Sequence, residues 1–181
     1  MLEYDEALSG QMMLQISVRL RKVQREDLPK LEWAGQYTHF RNLYRRAFRE
    51  QQQGRRILLL ADCNGYPIGQ IFIQLKGHNT SMADGANRAY LYAFRVMDPF
   101  RGQGIGTWMI REAEGVLVRK GIATATIAAG KDNPRARQLY ERLGYRLFGE
   151  DPGRWSYLDH HGEIRRVEEP CWLLEKSLVV G

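Results

Sequence analysis

The sequence predicts an α/β fold, one domain with a central sheet flanked by helices, and three observations carry that prediction. Strand-length segments rich in β-branched and aromatic residues recur along the chain, with stripes of helical period between them. The run Ala89–Val96, a glycine-rich turn, a helical stretch from Ile105 and the run Ile122–Ala129 follow in that order. Strand, helix, strand makes a parallel pair joined by a right-handed crossover. Asn64-Gly65 between two apolar runs reads as a tight hairpin turn. With 181 residues the chain is long enough for one domain with a real core, and it shows neither an internal repeat nor a linker. Residues 1–14 read as a tail or short helix and 15–181 as the domain.

In chain order, residues 15–23 alternate apolar and polar, as a half-buried strand does. Glu26-Asp27-Leu28-Pro29 has the acids and proline of a helix start. A second helix is predicted over 37–53, with Phe40, Leu43, Tyr44, Ala47 and Phe48 as its apolar stripe. Arg41, Arg45 and Arg49 line another face, and a solvated face is the simpler reading of them. Strands over 56–61 and 68–75 flank the hairpin turn, and 77–87 is a polar loop. After the glycine turn, Ile105, Trp108, Met109, Ala113, Val116 and Leu117 recur at helical spacing, and Gly121 stops that helix. Asn133-Pro134 opens another helix, with Ala136, Leu139, Tyr140 and Leu143 on its apolar side. Strands follow at 145–148, 155–158 and 164–167, and Cys171–Leu174 closes the sheet.

Composition narrows the function classes. No apolar run approaches a membrane span, and the N-terminus lacks the basic start and apolar block of a signal peptide. Cys63 and Cys171 have no metal-binding spacing, so a reducing cytoplasm is the simple inference and no metal is expected. His160-His161 falls in a hairpin turn with no further ligand spaced to help. The net charge of +6 favours polyanionic partners, and does not choose between a phosphate-bearing coenzyme and nucleic acid.

The chemistry concentrates in Val96-Met97-Asp98-Pro99-Phe100-Arg101-Gly102-Gln103-Gly104-Ile105-Gly106. Glycines at a strand-to-helix turn place unpaired helical N–H groups and the positive dipole end where a phosphate can approach. A nucleotide P-loop needs Lys-Ser/Thr after its last glycine, and Thr107-Trp108 stands there instead. A dinucleotide fingerprint needs a third glycine at position 107 and an acid some 20 residues on, and neither is present. The remaining pattern is Arg101-x-x-Gly104-x-Gly106. About 30 residues on comes Asn133-x-x-Ala136-x-x-Leu139-Tyr140-x-x-Leu143-Gly144-Tyr145.

These two blocks, in this order, resemble the GNAT superfamily of acyl-CoA-dependent N-acyltransferases over roughly residues 15–176. The resemblance implies a mixed, V-splayed central sheet flanked by helices, with acetyl-CoA entering the splay. It implies that backbone groups of Val96 and Met97 meet the pantetheine and thioester carbonyl. The loop of Arg101, Gly102, Gln103, Gly104, Ile105, Gly106 and Thr107 would hold the pyrophosphate through its amides. Asn133 would hydrogen-bond the pantetheine arm or order its loop, and its helix-capping role is an equal reading. Tyr140 would stand near sulfur as the catalytic acid. Two departures stand out. The loop is one residue shorter than in many relatives, which leaves Val96 and Met97 both open for the carbonyl. The strands before the loop and after the next helix carry no acid, so the general base is unassigned among Glu32, His39, His78 and Tyr92.

The expected reaction is acetyl transfer from acetyl-CoA to a primary amine. A lysine-like amine of pKa ~10.4 must lose about three pK units, on the order of 4 kcal/mol, to react neutral at pH 7. Neither motif contains a cysteine or serine, so direct attack in a ternary complex is favoured over an acyl-enzyme. The rival readings are a coenzyme-A-binding regulator and a nucleic-acid or protein binder on the same fold, of which the nucleic-acid binder is the weaker. The expected partners are acetyl-CoA and a small-molecule or protein amine, with no membrane. The sequence leaves a homodimer open.

Overall fold

The computed structural model describes residues 15–178. The tail expected over 1–14 lies outside them. The described residues form nine strands: β1 (Arg19–Lys22), β2 (Arg56–Cys63), β3 (Tyr66–Gln74), β4 (Arg88–Val96), β5 (Thr124–Gly130), β6 (Arg146–Asp151), β7 (Arg154–Leu158), β8 (Ile164–Glu168) and β9 (Cys171–Ser177). The α-helices are α1 (Arg41–Gln52), α2 (Ile105–Arg119) and α3 (Pro134–Arg142). Seven strands form the main sheet in the order β1-β2-β3-β4-β5-β9-β6, and β7 and β8 form a separate hairpin. All neighbours in the main sheet are antiparallel except β4 and β5. The fold is therefore a mixed α+β sheet flanked by helices, as expected.

Each face of the sheet buries its own apolar cluster. On one face Leu91, Ile71, Ile127 and Leu174 pack with Met109, Ile110, Ala113 and Leu117 of α2 and with Tyr140 of α3. On the other, Leu58, Leu60 and Phe72 pack with Tyr44, Ala47 and Phe48 of α1. Alternation along β2 sends Ile57 and Leu59 to the first cluster and Leu58 and Leu60 to the second. This two-sided burial explains why β2 reads as an unbroken apolar run.

One expectation is corrected here. The acidic, proline-bearing segment after β1 does not form a helix. It makes short 3₁₀ turns, Arg25–Asp27 and Lys30–Glu32. The Asp27 carboxylate is taken by the Gln24 N–H at 2.7 Å and by the Arg21 guanidinium, which pins a tight turn. Trp33, Ala34 and Gly35 then all have positive φ, a backbone that no right-handed helix contains. The last strand joins the main sheet, in a place the sequence left open. β9 inserts between β5 and β6, and β6 becomes the edge.

Candidate active site

The site is organised by the place where β4 and β5 part. Their parallel pairing runs from Arg88/Thr124 to Leu91/Ile127 and stops, although β4 continues to Val96 and β5 to Gly130. A bulge accompanies the parting. Gln70 and Phe72 of β3 face Arg95 and Tyr92 of β4, so β4 carries one extra residue. Ala93 takes that residue up with φ +49°. The side chain of Gln70, fully buried, donates to the Ala93 carbonyl at 3.0 Å and holds the bulge. The extra residue reverses the alternation of faces. Phe94 and Val96 turn toward α2, and Arg95 turns toward α1.

Beyond Val96 the chain makes a 3₁₀ turn, Asp98–Phe100, and enters α2 through the glycine loop. Gly102 and Gly104 have φ +76° and +82°, the left-handed region that favours glycine. A Cβ at either position would meet no protein atom within 4 Å, so the outer side of the loop is open. Gly106 differs: a Cβ there would lie 3.0 Å from the Phe94 ring, so this glycine serves close packing of α2 on β4. No side chain caps α2, whose first backbone bond runs from the Trp108 N–H to the Gly104 carbonyl. The N–H groups before it have no intrahelical partner, which suits a helix start to an anion such as pyrophosphate.

Arg101 folds back rather than outward. Its Nε donates to the Val96 carbonyl at 2.9 Å and its Nη2 lies 2.9 Å from the Asp98 carboxylate. Gln103 reaches the Pro99 carbonyl at 3.3 Å. The Met97 N–H is donated to the Ile68 carbonyl at 2.9 Å, on the β3 side. Successive amides of a strand point to opposite edges, so the Val96 amide points into the gap. Across the gap, Asn133 caps α3, its Oδ1 accepting from the Ala136 N–H at 3.1 Å. Tyr140 is buried, with its ring 6.5 Å from that of Phe94, and burial alone pushes its phenol pKa up.

On the α1 face an aromatic cluster surrounds Arg95. Its guanidinium lies 4.0 Å from the Tyr37 ring centre and 5.1 Å from that of Phe40, and its Nη1 donates to the Tyr44 hydroxyl at 3.0 Å. The β7–β8 hairpin folds over the same ground. Phe40 meets Trp155 and Tyr157 at 6.5 and 5.2 Å, and Asn42 Nδ2 donates to the Asp159 carbonyl at 2.5 Å. Asp159 shapes the hairpin turn, accepting N–H bonds from His161 and Glu163 and pairing with Arg165. Burial alone would raise its carboxyl, but these partners outweigh it and bring the pKa to about 2. His39 stands in the cluster, 6.4 Å from Tyr157, and burial followed by the Arg95 guanidinium lowers its pKa.

The residues weighed as bases fall in different places. Glu32 is held by Arg41 at 2.6 and 2.8 Å, and that hydrogen bonding keeps its carboxyl pKa low. The Tyr92 hydroxyl is bonded to Arg56. His78 lies exposed in the loop after β3. His39 stands beside the Arg95 cluster, its ring 4.1 Å from that of Phe40. Arg41 is ion-paired, while Arg45 and Arg49 are exposed. Among the described residues there is no group of three or more His, Cys, Asp or Glu able to hold a metal, and no helix long and apolar enough to cross a membrane.

The model of the acetyltransferase (GNAT) family matches residues 19–145. The chain belongs to the GNAT family. Thialysine N-ε-acetyltransferase of Mus musculus is 36% identical over 77 residues, a stretch covering 42% of this chain and 45% of that enzyme. The match thus spans less than half the mouse enzyme's length. Among solved structures, an N-acetyltransferase from Staphylococcus aureus is similar with TM-score 0.67 and 13% identity, covering 90% of this chain and 99% of that one. The PaiA N-acetyltransferase of Thermoplasma acidophilum, solved with coenzyme A, is similar with TM-score 0.64 and 21% identity, covering 89% and 99%. These likenesses show the GNAT fold, and the parted β4 and β5 are the splay the family resemblance implies. The motifs led to the loop, Asn133 and Tyr140. Arg95 and the hairpin aromatics, which the structure gathers beside His39, were not singled out in the sequence. The signal for Arg95 was present: a lone cation in the otherwise aromatic and apolar run Tyr90-Leu91-Tyr92-Ala93-Phe94-Arg95-Val96.

Proposed function

We propose that this GNAT protein transfers the acetyl group of acetyl-CoA to a primary amine by direct attack in a ternary complex. The observation that carries the reading is the gap between β4 and β5, with an open glycine loop at one end and His39 and Arg95 on the α1 side. Acetyl-CoA is the substrate that supplies the activated acyl group. The amides of Gly102 to Thr107 would hold its pyrophosphate, and the Val96 amide its thioester carbonyl. The Met97 amide, already donated to Ile68, is the poorer choice for that carbonyl. Asn133 would contribute by holding α3 in place.

His39 takes the proton from the acceptor amine. Its lowered pKa keeps the imidazole neutral, and so able to accept, at pH 7. Tyr140 gives its hydroxyl proton to the departing sulfur. A raised phenol pKa keeps that proton in place until negative charge develops. Direct attack is also supported by Cys171, opposite Gly130 at the end of β5. Burial pushes its thiol pKa up, which makes it a poor nucleophile. Residues 15–181 are proposed as the catalytic domain.

An amine library screened with acetyl-CoA, reading free thiol, tests the proposal. Amine-dependent thiol release that saturates in acetyl-CoA is expected. Binding of acetyl-CoA without release by any amine would leave a coenzyme-A-binding protein instead.

A further inference from the structure

The half-buried arginines of the described residues are Arg21, Arg41, Arg56, Arg88, Arg95 and Arg137. All but one lie against a carboxylate: Arg21 on Asp27 and Asp62, Arg41 on Glu32, Arg56 on Glu50, Arg88 on Glu175, and Arg137 on Glu141. Arg95 has no carboxylate partner among the described residues. Its guanidinium is spread over the Tyr37 and Phe40 rings, and one nitrogen donates to the Tyr44 hydroxyl. A cation drawn from water pays desolvation, and ring faces and one hydroxyl offset only part of it. The rest of its planar donor fork is shaped for a carboxylate, which it can bind through two parallel hydrogen bonds.

The position gives this group a use. Arg95 adjoins Val96 in β4, and the Ala93 bulge turns it to the face where His39 stands. Trp155 and Tyr157 of the hairpin close over Phe40 on the same side, which suits a small acceptor better than a folded polypeptide. We propose that Arg95 binds a carboxylate of the acceptor, so that the acceptor is a small, amino-acid-like molecule carrying both a primary amine and a carboxylate. This inference rests on the acetyl-transfer reading above and names its substrate class.

The test pairs each amino acid with the amine left when its carboxylate is removed: lysine with cadaverine, ornithine with putrescine, alanine with ethylamine. With acetyl-CoA saturating, at least one amino acid is expected to exceed its partner in kcat/KM by roughly 10- to 100-fold, the range of a hydrogen-bonded charge. Arg95→Gln is expected to collapse that ratio toward one, chiefly through KM, and Arg95→Lys to keep part of it. Thermal melts of both variants check that they fold. Equal kcat/KM within every pair, or a ratio that survives Arg95→Gln, overturns the proposal. A second arm does not need turnover. Calorimetric titration of the same pairs, with coenzyme A present, should show carboxylate-dependent binding that Arg95→Gln removes. Binding that ignores the carboxylate sinks the proposal. Absent thiol release with retained, Arg95-dependent binding would overturn acetyl transfer while sustaining the carboxylate site.

Discussion

The two sides of the β4–β5 gap are made of different material. The side proposed for the coenzyme is backbone: a loop with positive φ at Gly102 and Gly104, an uncapped helix start, and a strand-end amide. The side proposed for the acceptor is side chain: Arg95 from β4, Tyr37, His39 and Phe40 from the turn before α1, and Trp155 and Tyr157 from the hairpin. A backbone site depends on conformation, tolerates most side-chain change and is written in a few adjacent residues. A side-chain site depends on which groups several distant segments bring together. The first can stay the same while the second changes, so one coenzyme can serve many acceptors.

Substitutions on each side should therefore fail in different ways. The largest effect is expected at His39. His39→Gln should lower kcat/KM at pH 7 by about 100- to 10,000-fold, the usual range for a general base. The pKa of His39 is lowered, so the imidazole stays neutral until the pH falls below its ordinary value near 6.5. The acid limb of kcat/KM should accordingly turn below that value, and the variant should lose it. A variant with the same limb would take the base role away from His39.

Next comes Tyr140→Phe, predicted to lower kcat by about ten- to a thousandfold while the Kd for acetyl-CoA changes less than about threefold. The ring packs on Phe94 and Tyr145, and phenylalanine keeps that packing. Saturating rates beside calorimetric binding decide it, and an unchanged kcat returns Tyr140 to the core.

A smaller change tests the backbone side. Gly104→Val should weaken acetyl-CoA binding at least tenfold, or ~1.4 kcal/mol. The cause differs from simple crowding, because a Cβ at Gly104 meets no protein atom within 4 Å. The cost comes from φ +82°, which a β-branched residue resists, and from bulk placed on the loop's open side. Normal binding by a folded variant would reduce the loop to a turn.

Asn133 should show the smallest effect. Losing the cap in Asn133→Ala is worth about 1 kcal/mol of stability, and Asn133→Ser should restore most of it. If the serine variant regains stability but not acetyl-CoA affinity, Asn133 touches the coenzyme as well as the helix.

The difference in material also explains what could be read in advance. The hairpin at Asn64-Gly65, α2, α3 and the parallel β4–β5 pair were legible because each signal is local: a turn dipeptide, a 3.6-residue stripe, a cap, a strand-helix-strand order. The segment over 26–34 was misread as helix because its outcome rests on Arg21 and Asp62, contributed by β1 and β2, and on three left-handed residues in a row from Trp33. The place of β9 was not legible because nothing within Cys171–Ser177 says that it lies between β5 and β6.

The residue types and spacings of the glycine loop and the Asn133–Tyr140 helix were enough for the family and the fold class, and they supplied the wall proposed for the coenzyme. Those features come from short-range backbone geometry, which neighbouring residues set between themselves. Tertiary structure decided the rest. The Ala93 bulge, held by Gln70 from the adjacent strand, turns Arg95 to the α1 face. The hairpin docks through Asn42 and Asp159, 117 positions apart in the chain. Which rings enclose Arg95, and which carboxylates lie beyond its reach, follow from contacts that form only when distant segments pack.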